Sequence, residues 1–441
     1  MAPLGADATL TTMSGMPEVR EAVIVDTVRT AFGKRKGALA HWHPTDLLGD
    51  TLKHLLERSG VDPAVIDDVV GGCITQSGEQ GTNVTRNAWV AAGLPWRVPA
   101  TTVDRQCGSS QQAVHFVAAS VMSGIYDIAI ACGVESMTNA PLASNARGGR
   151  GPFSADFMKV IDGRLWAQFR QAQVLADRFK ITREDMDEFA LESHRRAAAT
   201  TDSGHFANEV LPVPMKDENG ELTGEVLSAD EGIRRNGTME ALAALPPAQS
   251  WEPDTAPDIT AGNSSQMTDG AAAMLITSSE TAERLGLPVR ARLLHFAVEA
   301  EDPVVTLSAP NPVTRKLFAR TGLSTDDFDA IECNEAFAAI ALMWASEFEP
   351  DPALYNPRGG AIAMSYMPAM TLAATKCTAC CDDPHWRSTV VAGTRHGSPA
   401  ATHALRVTLV PCSPDCVMHP PTTSSMTAGS TPLRSRRCFS V

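Results

Sequence analysis

Ala100-Thr101-Thr102-Val103-Asp104-Arg105-Gln106-Cys107-Gly108-Ser109-Ser110 is the stretch on which the fold of this chain turns. Ala100 to Asp104 is short and β-branched, as strands are. It runs into a cysteine, a glycine and two serines. The next segment is apolar on nearly every helical face: Ala113, Val114, Phe116, Val117, Ala118, Val121 and Met122. A helix apolar all round belongs in the middle of a protein. Ile125 to Gly133 then reads as another buried strand. Strand, helix and strand at this spacing predict layered α/β architecture. Cys107 falls at the head of the buried helix, where orphan N–H groups and the dipole lower a thiol pKa. The same N–H groups can hold an oxyanion. Gly108 has no side chain to obstruct a ligand. From these residues alone, a nucleophile and a buried structural cysteine both stand.

Working outward, Ala22-Val23-Ile24-Val25 reads as a short buried strand and Val69-Val70 with Cys73-Ile74 as another. Between them, Pro44-Thr45-Asp46 opens a helix with Leu48, Leu52, Leu55 and Leu56 on one face, closed by Gly60. Residues 1–20 read as a flexible, frayed end. From about Met137 the pattern loosens, with a glycine-rich loop at 148–152, a polar helix near 167–179, and a second helix capped by Thr182-Arg183-Glu184-Asp185 that runs to about Ala199. Prolines at 246, 247, 253 and 257 end this region. We expect an inserted loop domain here. A repeat brackets it. Arg58-Ser59-Gly60-Val61 recurs as Arg320-Thr321-Gly322-Leu323, and Ile66-Asp67-Asp68-Val69 as Phe328-Asp329-Ala330-Ile331, both at an offset of 262. Chance and duplication of one α/β unit are both open on that evidence. Duplication predicts a counterpart of the Cys107 helix starting near Ala369.

Composition narrows the function. The 441 residues are 44% hydrophobic and 20% charged, too apolar for a disordered chain and enough for two or three domains. The net charge of −14 argues against nucleic acid as the main partner. No apolar run reaches the eighteen or so residues of a membrane span. Met1 to Glu21 lacks the apolar core of a secretory signal, so a cytoplasmic location is expected. The average hides an asymmetry. Residues 365–441 carry seven Lys/Arg, three Asp and no Glu, a net of +4, leaving −18 on residues 1–364. Six of the ten cysteines lie in that tail.

Five ordered motifs resemble those of the thiolases. Asp104 to Ser109, followed by Gly133-Val134-Glu135-Ser136-Met137, is similar to their acyl-enzyme segment. Arg29-Thr30-Ala31-Phe32-Gly33-Lys34 resembles their opening. Thr260 to Ser265 with Asp269-Gly270-Ala271-Ala272 resembles their CoA-contacting loop, Asn334-Glu335-Ala336-Phe337-Ala338 their Asn-Glu-Ala-Phe-Ala motif, and Gly359-Gly360-Ala361-Ile362-Ala363 the run before their last catalytic elements. The resemblance implies a duplicated five-layer αβαβα fold with an inserted loop domain. It divides the chain into an N-terminal half (21–137 and 259–278), a loop domain (138–258), a truncated C-terminal half (279–364) and an aberrant tail (365–441).

It also implies roles. Cys107 would attack an acyl-CoA carbonyl to form an acyl-enzyme, its own backbone N–H forming half of an oxyanion hole. Asn334 would hold a water that stabilises an enolate or oxyanion. Ser265, with Ala261 and Gly262, would line the pantetheine of CoA, and Phe337 would shape the acyl pocket. Read without the family, Asn334 caps the helix after it and Phe337 is plain core. The reaction implied is 3-ketoacyl-CoA plus CoA to acyl-CoA plus acetyl-CoA, or its reverse. CoA and acyl-CoA are the partners, no cofactor or metal is needed, and the family forms homodimers and homotetramers. The stretch Trp166-Ala167-Gln168-Phe169 lacks the His-Met pair of the biosynthetic enzymes, which leans the reading to a degradative 3-ketoacyl-CoA thiolase.

The tail departs from the family. After Met364 a thiolase reads Gly-His-Pro, whose His takes the nucleophile's proton, and later Cys-x-Gly-Gly-Gly, whose Cys is the second acid/base. This chain reads Ser365-Tyr366-Met367-Pro368 and has no such glycine run. A phenol of pKa about 10 is a poor base at neutral pH. The apolar runs Val390-Val391 and Val407 to Val410 are expected to be too short to replace the missing elements. A shifted reading frame near Met364 accounts for the joint change in charge, Cys, Glu and motifs; translating the DNA in its other two frames tests it. The alternative function is a catalytically impaired, thiolase-like CoA-binding protein, or a product without function. A zinc site on Cys377, Cys380, Cys381, His385, Cys412, Cys416 and His419 is a rival account of the tail. A decarboxylating ketoacyl synthase is a third reading, against which Asn334-Glu335-Ala336-Phe337 argues.

Overall fold

The computed structural model describes residues 20–248 and 257–364, together with the backbone of strands at 388–393, 405–411 and 437–440. The flexible end expected at 1–20 lies, but for Arg20, outside the described residues.

The first sheet is built from β1 (Ala22–Thr30), β2 (Val69–Gly72), β3 (Ala100–Val103), β4 (Ile128–Ser136), β5 (Thr268–Ser278) and β6 (Ala291–Leu293). They run in the order β6-β1-β5-β4-β2-β3, with Gly33–Lys34 and Val210–Leu211 paired off that path. Every residue of β1, β4 and β5 is buried. Such strands read as continuous apolar runs rather than alternating ones. The strand expected at 22–25 therefore extends to Thr30, through Asp26, Thr27 and Arg29, whose polarity hides it from an apolar count. Helix α1 (Pro44–Ser59) covers one face, and its leucines pack with Val25, Val28 and Ile130. It starts with proline at N1 and a His43 side chain accepting the Thr45 N–H at 3.2 Å. It ends at Gly60 with φ 68°, a left-handed cap. Helix α2 (Ser109–Met122) covers the opposite face, against Ala22, Ile24, Ala131 and Ile276. Phe116 corrects the expectation of an all-round buried helix: it is 45% exposed.

Between β4 and β5 lie α3 (Gln168–Phe179) and α4 (Arg183–Asp202). The Thr182 hydroxyl and Asp185 carboxylate form the expected capping box. This region is pinned to β1 by a buried ion cluster. Arg29, fully buried, donates to Glu209 at 2.9 Å and to Asp230 at 2.7 and 3.1 Å, and its guanidinium lies over the Phe32 and Phe206 rings. Burial opposes the Arg29 charge, but Asp230 and Glu209 outweigh it and raise the pKa.

The second sheet contains β7 (His295–Glu299), β8 (Ala330–Glu332), β9 (Ser388–Gly393), β10 (Leu405–Pro411) and β11 (Arg437–Ser440). Its path β7-β10-β11-β8 runs antiparallel, antiparallel, parallel. The path β1-β5-β4-β2 has the same polarity. Helix α5 (Pro310–Thr321) packs against β7, and helix α6 (Ala338–Phe348) joins the same apolar cluster as Ala297 through Ala341 and Trp344, while the adjacent Phe296 points the other way, its ring 4.6 Å from His115 of α2. The layers are thus α1, first sheet, α2, second sheet, α5, and α2 is the central one. The repeat is structural. Gly322 caps α5 at φ 70° as Gly60 caps α1, and a 3-10 turn follows each, at 325–327 and 63–65. These matched elements agree with duplication.

One expectation is overturned. The tail runs containing Val390-Val391 and Val407 to Val410 are not too short to contribute: as β9 and β10 they enter the second sheet, and β10 supplies the partner of β7. Strands of six and seven residues are of ordinary length, and β10 is hydrogen-bonded to β7 on one side and β9 on the other. The helix expected near Ala369 lies outside the described residues, as do Tyr366 and the candidate zinc ligands Cys377, Cys380, Cys381, His385, Cys412, Cys416 and His419. Among the described residues no cluster of His, Cys, Asp or Glu is arranged to hold a metal, no cysteine is in a disulfide, and no helix is long and apolar enough to cross a membrane.

Candidate active site

Cys107 sits in the turn between β3 and α2, one residue before the N-cap, Gly108. The thiol is 2% exposed, in an apolar cluster with Met137, Leu175, Ala336, Phe337 and Ile362. Three motifs far apart in sequence meet there: the nucleophile segment, the Asn-Glu-Ala-Phe-Ala run and the 359–363 run. The turn lies close against β2. A Cβ at Gly72 would overlap the backbone of Ser109 and Ser110, so glycine there lets the head of α2 rest on the strand.

Phe337 is the N-cap of α6 and makes no side-chain cap bond. Asn334 therefore does not cap that helix; it is buried in the link between β8 and α6. The Phe337 ring meets Phe169 of α3 edge-on, with centroids 5.7 Å apart, so the Trp166 to Phe169 stretch packs into this cluster. Ser265 donates its N–H and its hydroxyl to the Ala336 carbonyl at 3.0 and 2.9 Å. That joins the 260–265 loop to the residue before Phe337. Ala261 is exposed; Gly262 is buried with its Cα against Leu242 and Leu245. The structure thus brings Cys107 and Phe337 together, ties Ser265 to them through Ala336, and sets Gly262 against Leu242 and Leu245 of the same cluster, while Ala261 is exposed.

Several residues of the site escape sequence reasoning. Glu335 is fully buried and accepts the Ser193 hydroxyl at 2.6 Å, the Asn356 amide at 2.8 Å and the Ile362 N–H at 3.1 Å. Burial raises its pKa against those three donors. A Cβ at Gly360 would overlap its carboxylate, so the second glycine of the 359–363 run is a place for Glu335 to pack. Gln266 donates to the carbonyls of Gly232, Ile362 and Ala363 at 2.8 to 3.1 Å. Asp269 accepts the Thr138 N–H at 2.9 Å and the Ser136 hydroxyl at 3.2 Å, joining the Glu135 motif to the loop motif. The available signal was a carboxylate inside an apolar run at Glu335; its partners are 142, 21 and 27 residues away.

On α4, next to Ser193, the buried His194 accepts the Arg234 N–H at 3.1 Å. Burial first, and the Arg234 charge second, lower its pKa to about 4. The unfolded chain therefore binds this proton more tightly between about pH 6.5 and 4. The contribution is full above that window and is lost as pH falls through it, about 3 kcal/mol in all. Denaturant titrations at pH 7 and pH 5 should show a smaller acid-induced loss for His194→Gln than for the parent. Equal losses would refute the assignment.

Two family models match this assembly in chain order. Thiolase, N-terminal domain, matches residues 22–280, and Thiolase, C-terminal domain, matches residues 287–374. The chain belongs to the thiolase family. It is 41% identical over 353 residues to steroid 3-ketoacyl-CoA thiolase FadA6 of Mycobacterium tuberculosis, covering 78% of this chain and 84% of that one. It is 40% identical over 353 residues to the 3-ketoacyl-CoA thiolase of Aliivibrio fischeri, covering 79% and 89%. Among solved structures, the Bacillus anthracis acetyl-CoA acetyltransferase superposes with a TM-score of 0.78 at 28% identity, over 90% of this chain and all of that one. By family, then, this thiolase is an acyltransferase. The C-terminal match ends at residue 374, ten past the point where composition and motifs change.

Proposed function

We propose that this thiolase transfers acyl groups between CoA thioesters through Cys107, in the reaction 3-ketoacyl-CoA plus CoA to acyl-CoA plus acetyl-CoA. The observation that carries it is the meeting of Cys107, at the head of a buried helix, with Phe337 and with a loop that Ser265 ties to Ala336. The Cys107 sulfur adds to the 3-keto carbonyl, the C2–C3 bond breaks, and the acetyl-CoA enolate leaves and takes up a proton. The acyl group then passes from sulfur to free CoA. Asn334 serves the enolate or oxyanion, and Ala261, Gly262 and Ser265 serve the pantetheine. CoA is a substrate, and no cofactor or metal takes part. The domain limits set out from the sequence, a homodimer or homotetramer, and a cytoplasmic location complete the proposal.

Incubation with acetyl-CoA followed by peptide mass spectrometry tests it. Acetyl is expected on Cys107, slowly, because Tyr366 stands where the family has its histidine. Cys107→Ala should abolish the label. Label that persists in that variant, on a tail cysteine, would count against the nucleophile assigned here.

A further inference from the structure

Gln106, the residue before the nucleophile, is held at φ 47°, in the left-handed region that a non-glycine residue avoids. Hydrogen bonds hold it from both sides. On one side the Asp104 carboxylate accepts the Gln106 N–H at 2.7 Å and its side-chain amide at 3.2 and 3.3 Å. On the other, the fully buried Ser109 hydroxyl accepts the Arg105 N–H at 2.9 Å and donates to the Gln106 carbonyl at 2.5 Å. Ser109 also donates its own N–H to that carbonyl at 2.9 Å. One side chain thus bridges the turn from the Arg105 N–H to the Gln106 carbonyl. Gly72 leaves no space behind Ser109 into which the turn could relax.

We infer that Ser109 is a positioning residue for the nucleophile: its hydroxyl holds Gln106 left-handed and thereby aims the Cys107 sulfur along the head of α2. The inference rests on Cys107 being the reactive thiol, but not on turnover of any thioester. If the clamp is lost, Gln106 drifts toward an ordinary φ and the Cys107 side chain shifts relative to the head of α2, where helix N–H groups favour a thiolate. Glycine at 106 adopts the same φ without support, so it should make the clamp unnecessary.

Alkylation of the full chain by iodoacetamide, read at the Cys107 peptide across pH 6 to 10, tests this. Ser109→Ala is expected to slow alkylation at pH 7 about tenfold and to move the midpoint of the rate–pH profile upward. Adding Gln106→Gly should restore both. An unchanged profile in folded Ser109→Ala overturns the inference. So does slowing that Gln106→Gly does not repair, since Ser109 would then act through general packing. If Ser109→Ala does not fold, Gln106→Val in the parent provides the test: β-branching disfavours the left-handed region, and alkylation at the parental rate overturns the inference. Should Cys107 in the parent react no faster than Cys132, buried in β4, its assignment as the nucleophile fails instead.

Discussion

A chimera in which residues 365–441 are replaced by a thiolase C-terminal run carrying Gly-His-Pro and Cys-x-Gly-Gly-Gly should cleave a 3-ketoacyl-CoA at least about a thousandfold faster than the native chain. Positioned acid–base groups typically contribute about 10²–10⁴-fold each, and the native chain has neither that histidine nor that second cysteine. The tyrosine at 366 cannot substitute, since at pH 7 a phenol of pKa about 10 is almost wholly protonated. The chimera keeps Cys107, Asn334 and the 260–265 loop, so the gain isolates what the tail withholds. Cys107→Ala in the chimera should return thiolysis to background. Native-chain turnover at the rate of the chimera would show that the tail supplies its own acid–base groups, and the prediction would fail. Sequencing the codons around 364 bears on the cause: if neither alternative frame encodes the two motifs, a frame shift is not the explanation.

The second large effect is on folding. Glu335→Ala is expected to destabilise the protein by about 3 kcal/mol or more, because three buried donors lose one acceptor together. Ser193 belongs to α4, Asn356 and Ile362 to the segment after α6, so the carboxylate joins the inserted region to the run that ends at Met364. Glu335→Gln keeps the shape and one acceptor and should cost less. Its cost should also depend on pH. The Glu335 pKa is raised on folding. Its contribution is therefore full below about pH 4.5, the ordinary value, and is lost as pH rises through the folded value. The gap between parent and Glu335→Gln should narrow over that rise. Denaturant unfolding of both chains from pH 4 to 8 measures it, and a gap that widens would contradict the assignment.

The fold was legible where local physics is strong. Pro44 and Gly60 mark the ends of α1, and Thr182 with Asp185 marks the start of α4. The all-apolar pattern placed α2 at the centre of the layers. Less legible were β1 beyond Val25 and β5, whose buried polar residues interrupt the apolar count although the strands are wholly enclosed. The tail strands were misjudged for a related reason. A run such as Val407 to Val410 looks inadequate alone, and β7 and β9 on either side of it make it a strand.

The sequence by itself determined the family and the nucleophile candidate through short motifs, and the break at Met364 through a local change of composition; the repeat at an offset of 262 left duplication open until the matched elements of the two sheets were seen. Only the tertiary structure decided what holds the site together. Arg29 with Glu209 and Asp230, Glu335 with Ser193, Asn356 and Ile362, and Ser265 with Ala336 are pairings across 71 to 201 residues in all but two cases. A buried polar group must find a partner, but local sequence does not say which one. That choice is made when the layers pack, and it turns a glutamate in an apolar run into a clamp and a serine two residues after Cys107 into the brace of its turn.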